Sequence, residues 1–154
     1  MVKAVALMAV IVVMLAACSG QPDNPERRIR DMIGAGEAAV EARSIMNAVE
    51  FVSSDYHDKH GRRKQEIKRL IAGHIMRNKS IHLLTRIQQL TLSEDKTRAD
   101  VVLYVGMAGV PLTDSDELAR MRADLYRFDL TVILEDGDWR VASGSWRAAR
   151  LADF

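Results

Sequence analysis

One cysteine, Cys18, stands in a chain of 154 residues, so no internal disulfide can staple the fold. An oxidising compartment would be tolerated without being used. Prolines number only three, and aromatic side chains make up 5% of the chain. Charge of one sign is lacking as well: 22 Lys and Arg face 21 Asp and Glu. A body this close to neutral argues against a nucleic-acid partner, which needs a basic face to displace counterions. The longest apolar run, "AVALMAVIVVML", falls short of the roughly 20 residues that a membrane-crossing helix requires. The chain also lacks a Ser/His/Asp arrangement, a phosphate-cradling glycine loop and a nucleotide fingerprint, so no cofactor is implied.

The first feature that is present lies at the start. Lys3, the apolar run, and then Ala16 and Ala17 ahead of Cys18 follow the charged, apolar, small order of a secretory signal. An uncleaved anchor helix is the competing reading, disfavoured by length and flanks. Leu15-Ala16-Ala17-Cys18 resembles the lipobox of bacterial lipoproteins. That resemblance implies cleavage before Cys18, a diacylglycerol on its thiol and an acyl group on the new amine, which makes the membrane a partner. Several chains hold far better than one, since each buried methylene contributes about 0.8 kcal/mol. Ser19 stands where the family's inner-membrane retention signal is Asp, so the resemblance implies the outer membrane, facing the periplasm. The expected organisation is a signal over 1–17, a lipidated tether over 18–24 and one domain over 25–150.

Within that domain the hydrophobic period is first helical. Asn24-Pro25-Glu26 offers a cap, a proline at the first helical position and an acid in the first turn. From Pro25 to about Arg43, Ile29, Met32, Ile33, Gly36 and Val40 recur at three- and four-residue steps. Ser44 caps a shorter second helix with Ile45, Ala48, Val49 and Val52 on one face. Gly61 opens a third, with Ile67, Leu70, Ile71 and Ile75 on one side, His74 on the same stripe as a hydrogen-bonded core residue, and Asn78 as its stop. The period then changes to two, and strands are expected near 81–92, 99–109, 120–134 and 139–147. "EDKT" and "EDGD" are polar turns, Asp136-Gly137 is a hairpin signal, "VPLTDSDE" is a longer loop, and Gly106 marks a bulge or bend. A two-residue turn pairs Leu134 with Trp139, Val132 with Val141 and Leu130 with Ser143. The expected core row is then Phe128, Leu130, Val132, Leu134, Trp139 and Val141. Helices first and a meander after them predict an α+β fold, three helices packed on a curved antiparallel sheet of about four strands.

The order of elements, the "DYHD" stretch before the third helix and the closing "DGDWRVASGSW" resemble the nuclear-transport-factor-two-like superfamily, including its SnoaL-like members. The resemblance implies a cone-shaped α+β domain and leaves function open between binding modules and isomerase or dehydratase enzymes. In the superfamily's steroid isomerases one aspartate acts as base and a second is kept protonated. Asp58 and Asp129 are the positions that resemble them, although Gly36 stands where the helix-borne tyrosine would be, and Asp129 alternates opposite the apolar row. "DYHDKH" presents His57 and His60, with Asp55 and Asp58, as metal-competent side chains, and equally as turn and cap residues. Arg62, Arg63, Lys64, Lys68 and Arg69 form a basic run suited either to lipid head groups or to a solvated face. Tyr56, Tyr104 and Trp146 are candidates for a ligand pocket or an interface. An apolar patch around Tyr104 and Trp146 on the sheet's outer face would suit a homodimer or another partner. The expectation is a membrane-anchored binding or accessory module for a small hydrophobic ligand or a protein, with an isomerase or dehydratase as the alternative.

Overall fold

The computed structural model describes residues 24–111 and 124–153. The signal expected over 1–17, Cys18 and the tether up to residue 23 therefore lie outside the described residues, as do most of the "VPLTDSDE" loop and the first residues expected of the third strand. Helix α1 runs Pro25–Glu41. Asn24 caps it, its side-chain oxygen accepting from the Arg27 N–H at 3.2 Å, and Glu26 complements the helix dipole. Ile29, Met32 and Ala39 form its buried stripe. Arg43, at φ 60, turns the chain out of the helix, and Ser44 caps α2, Ile45–Glu50. Helix α3 runs Lys64–Arg77 and so begins after Gly61, not at it. Gly61 is held at φ +74 in a turn, its N–H donating to the Asp58 carbonyl, a backbone state a helix cannot use. Asn78 ends α3 as expected, its amide donating to the His74 carbonyl at 2.8 Å. Of the predicted stripe only Ile75 is buried, while Leu70 is exposed. His74 is half-buried, and its ring makes no hydrogen bond among the described residues because it sits on the shoulder of the stripe, within reach of water.

Four strands follow: β1 His82–Leu92, β2 Arg98–Ala108, β3 Asp124–Glu135 and β4 Asp138–Ala148. They form one antiparallel sheet in the order β1-β2-β3-β4. Asp136 and Gly137 both have positive φ, 52 and 87, as a two-residue hairpin matched to the strand twist requires. Leu134 pairs with Trp139 and Val132 with Val141, but Leu130 pairs with Gly144 and not with Ser143. Ala142 is an extra residue, a bulge that shifts the register beyond it. A second bulge falls at Gln88 in β1, whereas Gly106 stays in register with Leu84 and Leu125.

Both bulges serve the same end. In β1 the apolar side chains change parity from Leu83 and Ile87 to Leu90 and Leu92, and the extra residue returns all four to the helix side. In β4 the same device puts Gly144 and Trp146 on the face of Trp139 and Val141. The core joins Ile29 and Met32 of α1 to Ala99, Val101, Leu103 and Val105 of β2, with Val132 and Trp139. Each large aliphatic residue buried there contributes roughly 1.5–3 kcal/mol. Leu134 drops out of the expected core row: beside the hairpin turn, at the end of the sheet, it is 37% exposed. Among the described residues no helix is long and apolar enough to cross a membrane.

Candidate functional site

Residues 51–62 place the site. After α2 the chain runs beside β4 and joins its free edge. The Val141 N–H donates to the Phe51 carbonyl, the Ser53 N–H to the Val141 carbonyl, and the His57 N–H to the carbonyl of the bulged Ala142. After a turn at Ser54–Asp55 the side chains alternate, so Tyr56 and Asp58 are buried while His57 and Lys59 face solvent. Asp58 then turns the chain, accepting from the His60 N–H at 2.8 Å and the Arg62 N–H at 3.1 Å. Its other oxygen accepts from Arg62 Nε at 2.7 Å and from the Tyr56 hydroxyl at 3.2 Å. The Asp58 side chain has no exposed surface, whereas that of Arg62 is 25% exposed.

Burial alone would raise the Asp58 carboxyl, but the Arg62 side chain and the two backbone donors overcome it and hold it down at about 2. Tyr56 goes the other way. Burial, then the charge and hydrogen bond of Asp58, push its hydroxyl up to about 12. The Arg62 guanidinium lies over the Trp146 ring, 4.1 Å from its centroid. Trp146 stacks on Phe128 at 6.2 Å, and Phe128 meets Tyr126 at 6.4 Å. Three of the sequence candidates, Tyr56, Asp58 and Trp146, thus meet in one constellation. Arg62, read in the sequence as one charge of a helical run, is the residue that joins them. Its i,i+4 spacing from Asp58 across Gly61 was the available signal.

The remaining candidates lie apart. Tyr104 and Trp146 are on opposite faces of the sheet, because Trp146 shares a row with Phe128 and Leu103 while Tyr104 pairs with Arg127. Tyr104 is moreover 7% exposed, so the apolar outer patch expected around the two does not form. Asp129 also faces outward, where Arg127 Nη2 reaches it at 2.7 Å. That hydrogen bond holds its carboxyl below the ordinary range, the reverse of what a kept proton needs. His57 and His60 are exposed, Asp58 is buried under Arg62, and among the described residues no three His, Cys, Asp or Glu side chains converge on a point.

Two open clefts flank the sheet. One of about 430 Å³ lies between α1, the end of α2 and the β3–β4 hairpin, with Arg28, Asp31, Glu50, Phe51, Trp139 and Arg140 in its walls. The other, of about 150 Å³, is lined by Lys59, Asp129, Thr131, Ser143, Gly144 and Ser145. Charged side chains stand in the walls of both, and in the larger they alternate with Met32, Ala35, Phe51 and Trp139. Glu37 of α1 had no signal in the sequence beyond a helix position. Half-buried, it is pushed up by desolvation, against a hydrogen bond from Thr85.

Solved structures supply the comparison. A protein of Novosphingobium aromaticivorans, provisionally assigned as a scytalone dehydratase, matches 81% of this chain and 84% of its own with a TM-score of 0.65 and 14% identity. A nuclear-transport-factor-two-like protein of unknown function from Pseudomonas putida matches 80% of this chain and 86% of its own, with a TM-score of 0.59 and 18% identity. A protein of unknown function with a cystatin-like fold, from Nostoc punctiforme, matches 80% and 90%, with a TM-score of 0.59 and 10% identity. By sequence, no family model and no curated protein matches the chain. With its own topology, these likenesses give the chain the nuclear-transport-factor-two-like, cystatin-like α+β fold, a scaffold that assigns no chemistry by itself.

Proposed function

We propose that the chain is a bacterial envelope lipoprotein, anchored through acyl groups on Cys18 at the outer membrane and facing the periplasm. Its domain is a binding or accessory module and not an enzyme. The anchor rests on Leu15-Ala16-Ala17-Cys18 behind a signal-like segment. The observation that carries the binding role is the condition of the two carboxylates that resemble isomerase residues. Asp58 is ionised and spends its oxygens on four donors, and Asp129, in the wall of the smaller cleft, is ionised against Arg127, so neither holds a proton to give. One observation favours the dehydratase alternative: the raised carboxyl of Glu37, which would be the acid to test.

Mass measurement of the native protein purified from membranes tests the anchor. The expected chain begins at residue 18 and carries added acyl mass, and Cys18→Ser leaves the membrane fraction. A Cys18→Ser chain that stays membrane-bound, or a native chain unmodified at residue 18, overturns it. For the binding role, Glu37→Gln is expected to leave ligand binding intact, and turnover of a bound ligand that stops in this variant overturns the non-catalytic reading.

A further inference from the structure

Arg62 makes one hydrogen bond from its guanidinium, Nε to Asp58, and neither Nη group has a partner among the described residues. Its orientation is nonetheless set. Asp58 grips it from beneath with a carboxylate that the His60 and Arg62 N–H groups and the Tyr56 hydroxyl hold in place, and the Trp146 ring supports the guanidinium plane. A lysine would satisfy Asp58 as a point charge. What an arginine adds is a second, outward edge, a planar fork of two N–H donors that matches the two oxygens of a carboxylate. Beside that fork the Trp146, Phe128 and Tyr126 rings continue along the helix side of the sheet, half-buried to exposed. Asp58 balances the charge of Arg62 through Nε and leaves the Nη edge of the guanidinium to a ligand.

We infer that Arg62, gripped by Asp58 and laid over Trp146, anchors the carboxylate head of an apolar organic acid whose tail lies along the Trp146–Phe128–Tyr126 wall. The inference rests on the binding-module reading and adds the chemistry of the ligand. Because the guanidinium is held before the ligand arrives, little side-chain freedom is lost on binding. Two hydrogen bonds to a charged head favour an acid over the alcohol of the same skeleton by about tenfold or more.

The test titrates the full-length chain, reconstituted in phosphatidylcholine vesicles, with phenylbutyrate and separately with phenylbutanol, following tryptophan emission. Trp139 is buried, so the responding ring is Trp146, and Trp146→Phe identifies its signal. Phenylbutyrate is expected to bind about tenfold more tightly than phenylbutanol. That preference is expected to vanish in Arg62→Lys, which keeps a cation for Asp58 but loses the fork. The paired Asp58→Asn/Arg62→Gln variant removes both charges together and covers the case in which Arg62→Lys fails to fold. Equal affinity for acid and alcohol in the parent chain overturns the carboxylate anchor and leaves the binding module standing. An acid preference that survives both variants also overturns it, and failure of both probes to bind removes this site from the binding reading as well.

Discussion

Asp58 illustrates how a buried charge is kept and what its removal would show. Its carboxyl falls from 3.8 in the unfolded chain to about 2 in the fold, so the unfolded chain binds the proton more readily. The stabilisation is complete above about pH 4, is lost as pH falls toward 2, and is worth about 2 kcal/mol. Asp58→Asn is expected to lower stability by about that amount at neutral pH and to differ little from the parent near pH 2, as urea melts at the two values would show. Tyr56 provides the opposite limb. Its hydroxyl rises from 10.0 to about 12, so its share of stability is present below pH 10 and lost as pH climbs through 12. Tyr56→Phe is expected to flatten that alkaline loss, read by circular dichroism against pH. From the sequence the acids and aromatics of this site were visible as types. Their convergence was not, because it depends on segment 51–57 docking on β4, a contact between residues about ninety positions apart.

At the level of elements, caps and turn chemistry were the most legible features. Asn24, Ser44 and Asn78 end or begin helices as their side-chain chemistry dictates, and Asp136-Gly137 makes the tight hairpin. Gly137→Val, which forces a β-branched residue into positive φ, is expected to cost about 1–3 kcal/mol, measurable as a lowered melting temperature with the fold retained. The bulges were also written in the residues. Ile87 to Leu90, and Val141 to Gly144 and Trp146, break strict alternation, and a parity change inside a strand signals an inserted residue. A strict two-residue period applied through Ala142 misplaced Ser143 and put Trp146 on the wrong face. Gly61 misled for a related reason. It punctuates the chain, but its positive φ belongs to the turn that Asp58 organises, and the helix waits until Lys64.

For the whole molecule, cohesion is uneven. Strand β2 lies between two others and carries four members of the core, whereas α3 packs chiefly on α2 and buries only Ile75. Local opening follows local burial. Hydrogen exchange is therefore expected to be slowest at Val101 and Leu103 and markedly faster along 64–77, and comparable protection in the two would contradict this packing. The layer order follows from composition and period alone. What the domain holds does not, since the same scaffold is shared with proteins of unrelated or unknown roles.

Segment 51–57 has a last consequence. By docking on β4 it pairs with Val141 and Ala142 at that flank of the sheet, where a foreign strand would otherwise add. At the opposite flank Glu41 already takes the Leu83 N–H at 2.7 Å, and the Gln88 bulge kinks the backbone midway. Each border is thus claimed or bent over part of its length. At high concentration, copies of this domain would find those stretches closed to edge-to-edge fusion into a continuous ribbon.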